Sequence, residues 1–356
     1  MAEYFPGIPA AVYEGAWSTN PFAFKVYNPD RIIGGKPMRE ALPFCFSAAV
    51  PHELLPLQSD IGQEPGPWRA ANPLQQAKDS LCASFELMDK LGLRSYCIRD
   101  TQLRPLAESL RETYVRTDEM TEGLLYLQKA YGAEPAALIC DLRSDPRFAL
   151  GSFSSPEVDI VSLAAALAKN AVDTAVKLEA KSFVLSVGSV PEADWAQAYA
   201  GNLAYMLVLT AEYAQRARYE GRLLLDLPER TELFLYRREL HRLWEPWELR
   251  KPGVLLEAVY DTTAPSQADA VLRIIAEMDS RAGSALLQER ERVDGRIADF
   301  RRNRLATFDA GVGSAILARE VSLDILAAYA ESVRSWSLPT DSAAYINGIR
   351  EGLRWR

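Results

Sequence analysis

With 356 residues, 48% of them hydrophobic and 25% charged, the chain has the balance of a folded protein with a large core, which excludes disorder as its main state. A net charge of −8 without a lysine-rich tract excludes phosphate-backbone binding, so nucleic acid is not an expected partner. No apolar run has the length to span a bilayer and no apolar leader core precedes the folded start, so membrane insertion is not expected and the default address is cytoplasmic.

Short apolar runs alternate with long amphipathic stretches, the pattern of βα units. The first run is FCFSAAV from Phe44, and a helix-like stretch from Leu74 to Leu91 follows, with Gly92 as its terminator. SYCIRD from Ser95, AALIC from Ala136, SFVLSV from Ser182, RLLLDL from Arg222 and GVLLEAV from Gly253 complete six strand-like runs. Between them lie helical patterns over Leu106–Tyr131, Pro156–Leu178 and Ala193–Tyr219, and Ala268–Ile297 reads as one long helical region. The implied fold is α/β, a TIM-like (β/α) barrel that is incomplete, with about six recognisable βα units. Six parallel strands leave two unpaired edges, and something must cover them.

Four cysteines, Cys45, Cys82, Cys97 and Cys140, show neither CxxC nor CxxH spacing and read as reduced, buried, small apolar residues. The two histidines, His52 and His241, are poor material for a histidine-based metal site.

Several blocks resemble the xylose isomerase family in content and order. They are MAEYFPGIP, NPFAFKVYNPDRIIGGKPM, YCIRD (Tyr96–Asp100), SLRET (Ser109–Thr113), SDPRFALGS (Ser144–Ser152), LLLDLP (Leu223–Pro228), LLEAVYDTTA (Leu255–Ala264) and LATFDAGVGSAI (Leu305–Ile316). The resemblance implies a barrel over residues 1–299 and a C-terminal helical arm over 300–356, of the kind that wraps a neighbouring subunit in that family. It also implies a chain shortened by several dozen residues, mainly before the arm.

The resemblance further implies where a metal-dependent sugar isomerase would keep its chemistry, and there this sequence departs from the pattern. The family's catalytic histidine and its aspartate align with Arg99 and Asp100, and an arginine stays protonated and cannot serve as a base. An ion pair of Arg99 with a carboxylate at the strand end is the structural expectation, and an anion site is the functional alternative. The first-strand aromatic wall aligns with Ala49, Val50, Pro51 and His52, and the fourth-strand Trp-Gly-Gly with Ser186, Val187 and Gly188. Sugar binding is therefore not expected. Asp226 stands at a metal-binding glutamate, Pro228 at the substrate-polarising lysine, Glu257 at the bridging carboxylate and Tyr260 at a second-metal histidine. Asp226 and Glu257 alone fall well short of the six or so oxygens a hard divalent ion takes, so no metal or other cofactor is expected.

GGK at Gly34–Lys36 and AGVG at Ala310–Gly313 lack the features of a phosphate loop. The two-signed run Gln288–Arg304 reads as a solvated helix with i,i+4 pairs. Trp244, Trp247, Trp336 and Trp355 are candidate interface anchors, with core packing as the competing role. The expectation for function is a non-catalytic relative of the family, acting as a structural or interaction subunit through a protein partner or self-association. The alternatives are a divergent isomerase with a rebuilt single-metal site at Asp226 and Glu257, or a regulatory partner of a complete isomerase.

Overall fold

The structure, a computed structural model, describes residues 3–48, 72–105, 109–148, 151–155, 157–187, 196–227, 246–250, 256–260 and 263–309, together with Ser322 and Asp324. Of 196–200 and 297–309 it describes the backbone alone. Val50, Pro228, Trp244, Trp336 and Trp355 lie outside the described residues, as do His52, His241 and almost all of the expected arm.

Seven strands form one parallel sheet: β1 (Phe44–Ser47), β2 (Ser95–Arg99), β3 (Glu134–Asp141), β4 (Ser182–Ser186), β5 (Arg222–Asp226), β6 (Trp247–Leu249) and β7 (Leu256–Ala258). Their order across the sheet is β6-β5-β4-β3-β2-β1-β7. This is an incomplete TIM-like (β/α) barrel. The sixth expected run does form a strand, and the structure adds two features to the sequence reading. Trp247–Leu249 supplies an additional strand beside β5, and the strand carrying Glu257 pairs with β1, Cys45 opposite Glu257, rather than with β5. The sheet curls far enough for a residue at one edge to reach the other, since the Arg250 side chain, directly after β6, binds Glu257 on β7.

The helices form for local reasons as much as for burial. α1 (Pro73–Lys90) opens with Asn72, whose side chain accepts from Leu74 N at 2.9 Å, and with proline at its first position, where no helical N–H is lost. It ends at Leu91, followed by Gly92 at φ +67°, a left-handed conformation that glycine adopts without strain. α2 (Leu110–Tyr131) is capped by the Ser109 hydroxyl, which accepts from Glu112 N, and closes at Gly132. α3 (Val158–Leu178) and α4 (Ala196–Arg216) follow β3 and β4, and each helix from α1 to α4 packs on the next. α5 (Gln267–Asp309) is one continuous helix, so the division expected after residue 299 falls inside it.

The chain divides into two compact units, Met1–Arg31 with Pro37–Ser280 and Ile32–Lys36 with Arg281–Arg356. The first contains the whole seven-stranded sheet. In the second, Arg292 pairs with Glu289, and Arg290 with Asp294, along the helix.

Strand alternation sorts the barrel interior into two levels. Cys45, Cys97, Ala137, Ile139, Val184 and Leu224 form a buried apolar cluster. Two residues further along each strand, toward its C-terminal end, stand Ser47, Arg99, Asp141, Ser186 and Asp226. The other strand face packs outward on the helices through residues such as Tyr96, whose ring lies 5.1 Å from Phe85, and Phe183, 6.2 Å from Trp247. All four cysteines are free, and three are buried. A hydrogen bond with Cys45, together with burial, pushes the Cys97 thiol up, and burial does the same to Cys140.

Two carboxylates take up successive amides of the N-terminal segment. Glu86 on α1 accepts from Tyr4 N and Phe5 N at 2.7 and 2.9 Å. Asp279 on α5 accepts from three successive amides, those of Lys25, Val26 and Tyr27, at 2.9, 2.9 and 2.7 Å. Asp279 thereby satisfies backbone donors that no ladder takes up.

Candidate functional site

The polar level at the C-terminal ends of the strands is where a barrel of this kind carries its chemistry. Here it is filled by ion pairs. Arg99 Nη1 donates to Asp141 Oδ2 at 2.7 Å, so the partner of Arg99 is Asp141 on the neighbouring strand and not the adjacent Asp100. The reason is the strand geometry. Arg99 points inward with Asp141, whereas Asp100 begins a short helix and turns away.

Asp141 is the hub of this end. Its Oδ1 accepts from the amides of Arg143 and Ser144 at 3.1 and 3.0 Å, and its Oδ2 also accepts from the Ser144 hydroxyl at 2.7 Å. Burial pushes its carboxyl up, but the Ser144 hydroxyl and amide and the Arg99 guanidinium outweigh burial and hold it below the usual range.

Asp100 has the opposite balance. Its Oδ1 accepts from Asp141 N at 2.7 Å and its Oδ2 from Arg104 Nε at 3.0 Å, yet burial dominates and raises its pKa. Arg104, its side chain only 9% exposed, also lies 3.6 Å from Asp145, and its Nη2 has no hydrogen-bond partner among the described residues. Arg147 grips Asp145 with two nitrogens at 2.9 and 2.6 Å. Burial raises the Asp145 carboxyl, and the Arg147 contacts more than reverse this.

Across the mouth, Asp226 at the end of β5 accepts from the Ser186 hydroxyl at 3.2 Å and from Arg143 Nη2 at 3.4 Å. Arg143 also donates to the carbonyls of Val187 and Asp226. Arg250 Nη1 lies 3.9 Å from Asp226 Oδ2, and its Nη2 binds Glu257 Oε1 at 2.5 Å. Tyr260 is buried, its ring 6.4 Å from that of Phe5, and burial pushes its hydroxyl pKa up to about 12.

Of the positions singled out from the sequence, the structure therefore brings together Arg99, Ser186 and Asp226 on one level, with Glu257 opposite Cys45 joined to it through Arg250, Asp100 just behind it and Tyr260 buried beyond β7. Trp247 is corrected from an interface candidate to a core residue. It is 3% exposed, and its Nε1 donates to Leu207 O on α4 at 3.0 Å. A strand residue at that place faces the helix layer, and a tryptophan there has both apolar contact and a carbonyl for its N–H. Residues that sequence reasoning passed over are Asp141, Arg143, Ser144 and Arg250. Asp141 carried a signal, as the polar residue ending an otherwise apolar strand at the same level as Arg99 and Asp226.

Among the described residues, the carboxylates of this level face arginines rather than one another. Asp226 and Glu257 are each committed to the Arg250 guanidinium, Asp141 is saturated by four donors, and among the described residues no group of three or more His, Cys, Asp or Glu is arranged to hold an ion. Among the described residues, the three carboxylates Asp141, Asp226 and Glu257 meet three guanidinia, those of Arg99, Arg143 and Arg250.

Fold and site together define a parallel (β/α) barrel with its polar residues gathered at the C-terminal mouth. The chain is 31% identical over 305 residues to the xylose isomerase of Thermoanaerobacter sp. (strain X514), covering 80% of this chain and 69% of that one. It is 33% identical over 231 residues to the xylose isomerase of Geobacillus kaustophilus (strain HTA426), covering 63% and 51%. The chain belongs to the xylose isomerase family. No family model matches it. A solved sugar phosphate isomerase/epimerase from Parabacteroides distasonis ATCC 8503 aligns at 10% identity with a TM-score of 0.31, over 58% of this chain and 90% of that one.

Proposed function

We propose that this chain is a non-catalytic member of its family, a structural or interaction subunit of a protein assembly. The observation that carries the reading is the pairing of Asp226 and Glu257, the two carboxylates that resemblance places at the family's metal, with the guanidinium of Arg250. Arg99 supports it, since the position the resemblance gives to a base holds a permanent cation already engaged by Asp141. Isomerisation then has neither a group to take the proton nor a metal to polarise the carbonyl. Among the described residues no helix is long and apolar enough to cross a membrane, and the proposed setting is cytoplasmic.

Two measurements test this. Elemental analysis of the purified protein is expected to find no stoichiometric magnesium, manganese or cobalt, and coupled assays are expected to find no aldose–ketose interconversion. One tightly bound divalent ion per chain, lost together with isomerase activity in Glu257→Gln, would establish the competing reading of a single-metal isomerase. The second measurement concerns assembly. Light scattering is expected to show an oligomer or a stable complex, weakened by deletion of residues 335–356, and a monodisperse monomer at micromolar concentration would count against the subunit role.

A further inference from the structure

A curled sheet with two edge strands has an open seam, and among the described residues no backbone pairing joins β6 to β7. Among the described residues, the side chain of Arg250 crosses the seam. Its amide continues the ladder by donating to Leu225 O at 2.9 Å, which fixes the residue beside β5, and its guanidinium reaches Glu257 on the opposite edge while lying 3.9 Å from Asp226.

We infer that Arg250 is a built-in cation, which occupies the space between Asp226 and Glu257, latches the two edges of the barrel together and thereby keeps divalent ions out of the mouth. The inference rests on the non-catalytic reading and explains how the mouth remains stable under it. Carboxylates gathered at one mouth repel one another unless a cation lies between them, and arginine supplies one that is permanent, directional and covalently attached. The Arg250, Asp226 and Glu257 side chains are 21%, 28% and 13% exposed, so their pairing is partly screened from solvent and is more than a surface contact. A divalent ion entering here would meet the fixed charge of Arg250, and of Arg143 on the other side of Asp226. Even at a water-like dielectric, a unit charge about 4 Å from a dication weakens its binding ~30-fold.

The test is Mn²⁺ binding, followed by loss of the free-ion electron paramagnetic resonance signal. Arg250→Gln, which keeps hydrogen-bonding capacity and removes the charge, is expected to bind Mn²⁺ about 30-fold more tightly than the unaltered chain. Arg250→Lys is expected to stay close to the unaltered chain, and adding Glu257→Gln to Arg250→Gln to abolish the gain. An Arg250→Gln protein no tighter than the unaltered chain, or an Arg250→Lys protein as tight as Arg250→Gln, would overturn the inference and leave the non-catalytic reading standing. Stoichiometric Mn²⁺ on the unaltered chain would sink both. Should Arg250→Gln fail to fold, millimolar Mn²⁺ is expected to restore its far-ultraviolet circular dichroism, and no restoration would count against the inference.

Discussion

Removing the Arg104 side chain separates a structural ion pair from a decorative one. In Arg104→Met the length and much of the apolar stem remain, but Asp100 keeps only the Asp141 amide, and its side chain is 8% exposed. Breaking a buried pair from one side leaves an uncompensated charge, a cost of about 3–5 kcal/mol. Arg99→Met makes the contrast. That guanidinium is 40% exposed, and Asp141 retains its three other donors, so the loss should stay below ~1 kcal/mol. Urea unfolding followed by circular dichroism at pH 7 reads both. The pH dependence carries the sign. Burial raises the folded pKa of Asp100, so its contribution is greatest below the ordinary carboxyl range and is lost as pH rises through the folded value. Without Arg104 that pKa rises further, and the deficit of Arg104→Met should shrink as the pH falls from about 7 to about 5. Asp145 keeps its two contacts with Arg147 throughout, which leaves Asp100 as the group being read. Adding Asp100→Asn to Arg104→Met should recover about half or more of the loss. Equal costs for the Arg99 and Arg104 variants, or a deficit that grows in acid, would refute the reasoning.

Two further perturbations address the scaffold. Asp279→Ala strips three backbone amides of their acceptor and should cost about 1–3 kcal/mol, with faster tryptic cleavage after Lys25 as the local readout; an unchanged cleavage rate would show that the segment is held by other contacts. Trp247→Phe leaves the Leu207 carbonyl without its donor and a void beside Phe183, for a loss of about 1–3 kcal/mol in unfolding with no change in oligomeric state. A shift in oligomeric state would return Trp247 to an interface role.

Much of the barrel was legible because its signals are local. The apolar runs of β1 to β5 and the glycine that ends α1 report on residues that are neighbours in sequence, and the helix expected over Ala268–Ile297 lies within α5. Trp247–Leu249 was not legible as a strand, since three residues carry no period and it is pairing with β5 that defines them. Nor was the place of β7. An apolar run states that a strand exists, and which neighbour it joins depends on how the whole sheet curls. The site shows the same division. Arg99, Asp226 and Glu257 were singled out through the family resemblance, whereas their partners were not, because the Arg99–Asp141 and Arg250–Asp226 pairs join separate strands and become neighbours only through the sheet.

The matching of carboxylates to arginines among the described residues of the mouth bears on what holds the sheet together. An active barrel holds its C-terminal ends open and charged so that a substrate or metal completes them. In this chain each carboxylate of the ring is completed by an arginine of the same chain, and the bonds run between strands: Arg99 on β2 to Asp141 on β3, Arg143 after β3 to Asp226 on β5, and Arg250 after β6 to Asp226 and to Glu257 on β7. Such cross-strand pairs tie together a sheet whose edge strands are only three residues long. Under the proposed non-catalytic reading, these pairs serve the sheet rather than a substrate, and they do so at the places where its short edge strands have fewest backbone bonds.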